Sequence, residues 1–326
     1  MAKNIIVFEE LKLNNSFDGV ACIKTATIQK TKAGKDYVSG TVIRGKLTFQ
    51  FKIWDSAVVA ILRPFIEAPT GFRAHLAEVT GTVGQYNGSL DYTFSSVTPI
   101  PDTDEIAVKD FLPSLDCERL FTELCEFINS KLSPNYINTL IAIMQLPANG
   151  DPTGTTNIQT ALKTCWAASG NHDAIAGGLI NHTLKMLRYA EVMIADHPFF
   201  AENKDLIYAG IILHDIGKTQ EIVDGSYTKN SFVSHRIMGV EYMAINKATI
   251  ISLIGVDAYY RLMSIIEGHH DKFGNPADTV WAYIVHLIDM LDTWATMIEE
   301  AIVNEKAATN ATGEKYLMRD GQRLFY

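Results

Sequence analysis

The chain has 326 residues, 47% hydrophobic and 20% charged, with 28 Lys and Arg against 37 Asp and Glu for a formal charge of −9. This composition excludes collagen-like and disordered chains, and no apolar run approaches the roughly 18 residues that a membrane span requires. The N-terminus lacks a signal-peptide pattern, and four cysteines without a CxxC pair point to a reduced, cytoplasmic protein.

The charge is unevenly spread. Residues 1–100 hold 11 basic and 8 acidic side chains, a net of +3, whereas residues 101–326 hold 17 and 29, a net of −12. Residues 19–28, 36–44 and 46–54 read as strands. In KLTFQFKIW, Leu47, Phe49, Phe51 and Ile53 share one face and Thr48, Gln50, Lys52 and Trp54 the other. Ser56–Glu67 carries Val58, Val59, Leu62 and Phe65 at helical spacing. Two further strands flank Asn87-Gly88, and a two-residue turn there pairs Tyr86 with Ser89, Val83 with Tyr92 and Gly81 with Phe94. Three strands, a helix and a hairpin is the element order of an OB-type five-stranded β-barrel, assigned to residues 1–98.

The Pro- and Asp-rich stretch 99–112 reads as a linker. Beyond it the pattern is helical, over Cys117–Lys131, Pro134–Met144, Gly178–Ala195, Asp205–Leu213, His235–Ile245, Tyr259–Glu267 and Trp281–Glu300. The expected class is therefore α+β multidomain, a barrel followed by an all-α domain over 113–305. A polar and then aromatic tail, 306–326, is expected to dock.

OB barrels commonly grip single strands by stacking bases on aromatics beside basic groups. Lys30, Lys32 and Lys35 cluster in the first hairpin turn next to Tyr37, and Trp54 shares a face with Lys52. The competing structural reading is that Phe49, Phe51, Tyr92 and Phe94 fill the barrel and that Trp54, at a strand end, belongs to the core.

Seven of the nine histidines lie between positions 172 and 270. His214-Asp215 closes the apolar run AGIILHDIGK, and a buried carboxylate at such a place needs a partner. Lys218 follows one helical turn after His214. His182 ends GGLINH, His235 follows some twenty residues after the His-Asp pair, His269 and His270 are adjacent, and His286, Asp289 and Asp292 recur at spacings of three. A lone histidine on an apolar face is more often a core residue than a ligand. Five imidazoles and two carboxylates spread over several helices are an inventory for two divalent ions that share one carboxylate.

The order H…HD…H…HH…D, with HDIGK intact, resembles that of the HD-superfamily metal-dependent phosphohydrolases. GGLINHTL, AGIILHDIGK, SHRIMGVEYM, EGHH and HLIDMLD resemble the YhaM-type 3′-5′ exoribonucleases, which place an OB domain ahead of the HD domain. The resemblance covers nearly the whole chain. It implies that His182, His214, Asp215 and Asp289 hold one metal, that Asp215 bridges to a second held by His235, His269 and His270, and that Lys218 faces the scissile phosphate. Asp215 and Lys218 are thus the expected catalytic residues. The resemblance favours Mn2+, with Fe, Ni, Co or Zn also compatible with the donor set. Two departures stand out: HHDKFGNP is short after the paired histidines, and Asp173 occupies a position where a second histidine is usual. The Gly-Tyr-Pro signature of the cyclic-dinucleotide branch is missing. Asp292 reads as a residue supporting the ligands or as a surface charge, His286 as one that orients Asp289 or its neighbours, and His172 as a candidate substrate contact in the loop before His182.

Two metals about 3.5–4 Å apart suit phosphodiester hydrolysis because they activate a water and neutralise charge on the phosphoryl oxygens. The expected activity is metal-dependent 3′-5′ hydrolysis of single-stranded RNA, with single-stranded DNA a further candidate, by a homo-oligomer without a membrane partner. The alternatives are an HD phosphohydrolase of nucleotides or cyclic nucleotides, its OB domain serving assembly, and a non-catalytic nucleic-acid binder.

Overall fold

The computed structural model describes residues 4–68, 72–103, 105–148, 156–168, 173–228, 231–270, 276–303, 308–309, 314–319 and 322–325. The chain divides into two compact units, Met1–Ser114 with Asp224–Asn230, and Leu115–Val223 with Ser231–Tyr326.

In the first unit, β1 (Ser16–Lys30), β2 (Asp36–Arg44), β3 (Leu47–Ile53), β4 (His75–Tyr86) and β5 (Ser89–Ile100) close a barrel in the order β1-β2-β3-β5-β4, with α1 (Ser56–Ile66) between β3 and β4. The β4–β5 register pairs Tyr86 with Ser89, Val83 with Tyr92 and Gly81 with Phe94. The turn residues Asn87 and Gly88 take φ of 49° and 83°, as a two-residue hairpin turn demands. Inward positions alternate along each strand, and Phe51 stacks on Phe94 at 4.4 Å and 3° in the core. Phe51, Tyr92 and Phe94 are buried and Phe49 packs against them, so these aromatics fill the barrel. Leu47 departs from that face, because at the start of β3 it lies beyond the core and is exposed. Trp54 departs from the expected core position too: it is 42% exposed, just past the end of β3. Asp55 caps α1 by accepting from the Ala57 backbone N–H at 2.7 Å, and the helix sends Val58, Val59 and Leu62 into the barrel core.

The stretch expected as a linker is packed rather than free. Ile106, Ala107, Val108, Phe111 and Leu112 are buried, and the Gly45 N–H donates to the Phe111 carbonyl at 2.8 Å. Proline and aspartate there shape turns, while the intervening apolar residues hold the chain to its own unit.

The second unit comprises α2 (Cys117–Lys131), α3 (Pro134–Met144), α4 (Ile158–Thr164), α5 (Gly178–Asp196), α6 (Pro198–Ala201), α7 (Lys204–Leu213), α8 (Lys218–Glu221), α9 (His235–Ile245), α10 (Lys247–Gly268) and α11 (Val280–Val303). Every residue of α7 from Leu206 to Leu213 is buried, which makes α7 the central helix of this core. By length and mean hydropathy α10 alone among the described helices matches a membrane span, but it breaks at Gly255 (φ 84°) and buries Ile250, Tyr259, Leu262, Ile265 and Ile266 in the core. The two-residue strands β6 (Ile222–Val223) and β7 (Ser226–Tyr227) lie between α8 and α9 in the chain, β7 within the segment that belongs to the first unit. In the tail, β8 (Ala308–Thr309), β9 (Lys315–Arg319) and β10 (Gln322–Phe325) form a three-stranded antiparallel sheet of their own.

Candidate functional site

The helical core places its polar residues at one spot. α7 ends in the turn that holds His214 and Asp215, so an apolar helix delivers an imidazole and a carboxylate into the interior. His182 lies in the second turn of α5. His235 is the first residue of α9, where Ser234 caps the helix, and His269 ends α10 with His270 next. Arg236 ties these two ends together, donating to the Glu267 carbonyl at 2.7 Å. Asp289 and Asp292 lie on α11.

Asp215 is the centre of the cluster. Its Oδ1 lies 3.2 Å from His235 Nε2 and 3.5 Å from His269 Nε2, and its Oδ2 lies 3.2 Å from His214 Nε2 and 2.6 Å from Lys218 Nζ. Potential donor atoms of Asp215, His235, His269 and His270 all fall within 4.8 Å of one another, as do those of His182, His214 and Asp215. His270 Nε2 is 3.2 Å from His235 Nε2, and Asp289 Oδ1 is 3.2 Å from His182 Nε2. All seven expected ligands and Lys218 therefore meet in one place, with one Asp215 oxygen facing each group.

The imidazoles are held from behind. His214 Nδ1–H donates to the Ile211 carbonyl (2.6 Å) and His269 Nδ1–H to the Ile266 carbonyl (2.9 Å), each three residues back along its own chain. His182 Nδ1–H donates to Asp292 Oδ2 (2.6 Å) and His235 Nδ1–H to Glu221 Oε2 (2.9 Å). Each Nδ1 being engaged, Nε2 is the atom each ring turns toward the cluster, the arrangement that backs metal-bound histidine. His286 Nδ1–H donates to the His269 carbonyl at 2.7 Å, so it orients the backbone at His269 rather than Asp289. Glu221 carries no periodic signal in the sequence, and only its place in the single turn of α8 directs it at His235.

The electrostatics favour a cation. Burial opposes charge on His182, yet Asp289 and Asp292 on either side carry its pKa up to about 9. Burial likewise works against the Asp215 carboxylate, but Lys218, His214 and His235 hold it well below the usual range. Burial pushes His269 down to about 4 and, together with His269, pushes His270 down to about 3, so both keep the neutral form that coordinates metal. His214 Nε2, Asp215 Oδ1 and His269 Nε2 are buried with no hydrogen-bond partner among the described residues. Buried polar atoms are normally satisfied, so three orphans facing one space suit the binding of divalent metal.

On the barrel, Tyr37 and Trp54 stack at 4.6 Å and 21°. Lys52 Nζ lies 5.9 Å from the Trp54 ring centre, 4.9 Å from that of Tyr86, and 2.8 Å from Asp91 Oδ1. Tyr86 is 64% exposed beside the hairpin turn, a position that marks it as a surface aromatic and that the sequence reading passed over. Lys30 pairs with Asp36 at 3.1 Å, while Lys32 and Lys35 are exposed in the turn. His172 and residues 271–275 lie outside the described residues.

The HD domain family model matches residues 179–294. Along 99% of its length the chain is 28% identical to 3′-5′ exoribonuclease YhaM of Oceanobacillus iheyensis, covering 97% of that protein. It is 28% identical to the YhaM of Shouchella clausii, covering all of this chain and 97% of that one, and 24% identical to the YhaM of Bacillus subtilis over 94% of this chain and 93% of that one.

Proposed function

We propose that this hydrolytic enzyme, an HD-domain protein that resembles the YhaM exoribonucleases along its whole length, removes nucleotides from the 3′ end of single-stranded RNA and also accepts single-stranded DNA. The observation that carries the reading is the convergence of the orphaned His214 Nε2, Asp215 Oδ1 and His269 Nε2 on one buried space. Those atoms would suit two divalent ions, one held by His182, His214 and Asp289 and the other by His235, His269 and His270, with Asp215 as the residue shared between them. A mixed nitrogen and oxygen set suits manganese, iron, nickel, cobalt or zinc better than magnesium, and the resemblance favours manganese. When bound, such ions supply the nucleophile by acidifying a water and offset charge on the phosphoryl oxygens.

The remaining work falls to the protein. Lys218 stays protonated, since Asp215 more than offsets the burial that opposes its charge, and it presents that charge to the scissile phosphate. Asp292, Glu221 and the carbonyls of Ile211 and Ile266 fix the ligand rings, so little reorganisation is needed as the substrate binds. On the barrel the stacked pair of exposed Trp54 and half-buried Tyr37 offers a face for unpaired bases, with Lys30, Lys32, Lys35 and Lys52 for the backbone. His172, just before Asp173 in the chain, is a further candidate for substrate contact.

With Mn2+, the protein should shorten a 5′-labelled RNA stepwise from a free 3′ end and leave a 3′-blocked RNA intact. His214→Ala and Asp215→Ala should each abolish this. Survival of the labelled RNA while a small nucleotide is hydrolysed would overturn the reading.

A further inference from the structure

Behind the candidate metal centre, Asp173, His182 and Asp292 form a third group of buried side chains with potential metal-binding atoms within 4.8 Å of one another. That space already holds a cation. Lys185 Nζ lies 2.8 Å from Asp173 Oδ2, 2.8 Å from Thr296 Oγ1 and 3.3 Å from Asp292 Oδ2. Its side chain is 22% exposed, and those of Asp173 and Asp292 are 8% and 0%. A metal ion placed there would meet an ammonium at contact distance in a poorly solvated setting, where like charges repel strongly. Lys185 therefore takes the place a metal ion would need, and the purpose of the group lies in what it holds.

We propose that Lys185 and Asp173 are positioning residues for the metal ligand His182, acting through Asp292. The inference rests on the reading of His182 as a ligand. Asp292 Oδ2 accepts from His182 Nδ1–H at 2.6 Å, and the same oxygen is the one nearest Lys185. Lys185 thus fixes the carboxylate that fixes the imidazole, and the imidazole presents Nε2 toward Asp289. The geometry follows from helix periodicity. Lys185 lies one turn after His182 on α5, while Asp292 and Thr296 lie one turn apart on α11, so one lysine joins the two helices that carry His182 and Asp289.

Asp173 anchors the other side of the lysine. It adopts φ 51°, a left-handed conformation that is strained for a residue other than glycine. It is held there by Asn181 Nδ2, which donates to Oδ1 at 2.8 Å, and by Lys185 on Oδ2. Its carbonyl reaches the start of α5 because residue 178 is glycine; a Cβ there would overlap the Asp173 carbonyl oxygen. Asn181 and Lys185, four apart on one helix face, grip the two oxygens of a single carboxylate.

Titration of Lys185→Met with Mn2+ alone, followed by calorimetry, tests the proposal. The parent should bind two ions. The variant should lose about 10- to 100-fold in affinity at one site, the usual effect of removing an outer support, and keep the other unchanged. Asp173→Asn should weaken that same site less, and Lys185→Arg, which keeps the charge, should recover part of the loss. Thermal unfolding of the metal-free proteins supplies the control. Two sites as tight as in the parent would overturn the proposal, as would equal weakening of both sites in step with a lowered unfolding midpoint. If Lys185→Met does not fold, Asp173→Asn decides by the same criteria. A parent that binds no divalent ion overturns this proposal and the metal-centre reading together. Failure to degrade RNA would count against the exonuclease alone, because the readout here is ion binding.

Discussion

Gly217 lies so close to His235 that a Cβ at position 217 would overlap the His235 carbonyl oxygen and come within 2.8 Å of the Gly239 backbone nitrogen. The missing side chain lets the turn bearing His214 and Asp215 press against the first turn of α9, and so brings His235 Nε2 to Asp215. Gly217→Ala must displace backbone rather than a flexible side-chain end, so a loss of about 1–3 kcal/mol is expected. Binding of one of the two ions should weaken with it. Urea denaturation and a Mn2+ titration check both, and a variant with the parent's stability and both ions intact would refute the argument.

Lys218 and Asp215 lead to a second prediction. With Nζ 2.6 Å from Asp215 Oδ2, the ammonium contacts a carboxylate that the resemblance makes a metal ligand. Lys218→Met should therefore retain both ions while hydrolysis at saturating RNA falls about 100- to 1,000-fold, the scale for loss of one charge-stabilising group. Ion binding and single-turnover cleavage, measured on the same preparation, separate the roles. Loss of both together would make Lys218 a support of the site.

Much of this was legible in the sequence, and the parts that were not share a physical cause. The bounds of β2, α2, α3 and α9 follow from periodicity and caps, and the Asn87-Gly88 turn dictates the β4–β5 register. The candidate ligand set was readable because His and Asp in the interior of apolar helices stand out against their surroundings. What supports those ligands did not stand out. Glu221 reads like any polar residue, and Asp292 is as consistent with a solvated helix face as with the fully buried partner of His182 that it is. Hydrogen bonds between residues 14 and 110 positions apart leave no periodic mark on a chain. The same holds for α4, for the first half of α10 and for Tyr86, whose significance depends on neighbours distant in sequence.

The Tyr37–Trp54 pair predicts how the barrel handles a single strand. A cross-strand aromatic pair contributes about 0.2–1 kcal/mol to a barrel, whereas a base stacked on an aromatic contributes about 1–3 kcal/mol to binding. Trp54→Ala should thus weaken a fluorescent single-stranded RNA by about 5- to 150-fold in chelator, where no cleavage occurs, with little change in unfolding midpoint. Tyr86→Ala should act in the same direction. Fluorescence anisotropy supplies the measurement, and unchanged affinity in both variants would reduce the pair to barrel packing.

The thiols of Cys22 and Cys165 are both buried, and burial, the largest influence on each, pushes their pKa up to about 12. A thiol reacts as its thiolate, so neither should be alkylated by iodoacetamide at pH 8 in the native protein, while both should react in denaturant. Peptide mass spectrometry reads the outcome; rapid native labelling of either would contradict the burial.

His75 predicts a pH dependence of the barrel. Its ring stacks on Phe65 at 4.9 Å and leans on Phe72 at 5.0 Å, and burial lowers its pKa below the ordinary 6.5 despite the Arg73 carbonyl that accepts from Nδ1. The unfolded chain therefore binds the proton more readily than the folded one. Stability from this group is fully present above pH 6.5 and is lost as pH falls from there through the folded value. His75→Phe keeps an aromatic ring against Phe65 and has no proton to take up, so its stability should decline less than the parent's between pH 7.5 and 5.5. Every other titratable group is common to both proteins, so the difference between the two isolates position 75. Denaturation midpoints at pH 7.5, 6.5 and 5.5 make the comparison, and parallel decline in parent and variant would show that His75 stays unprotonated in neither state more than the other.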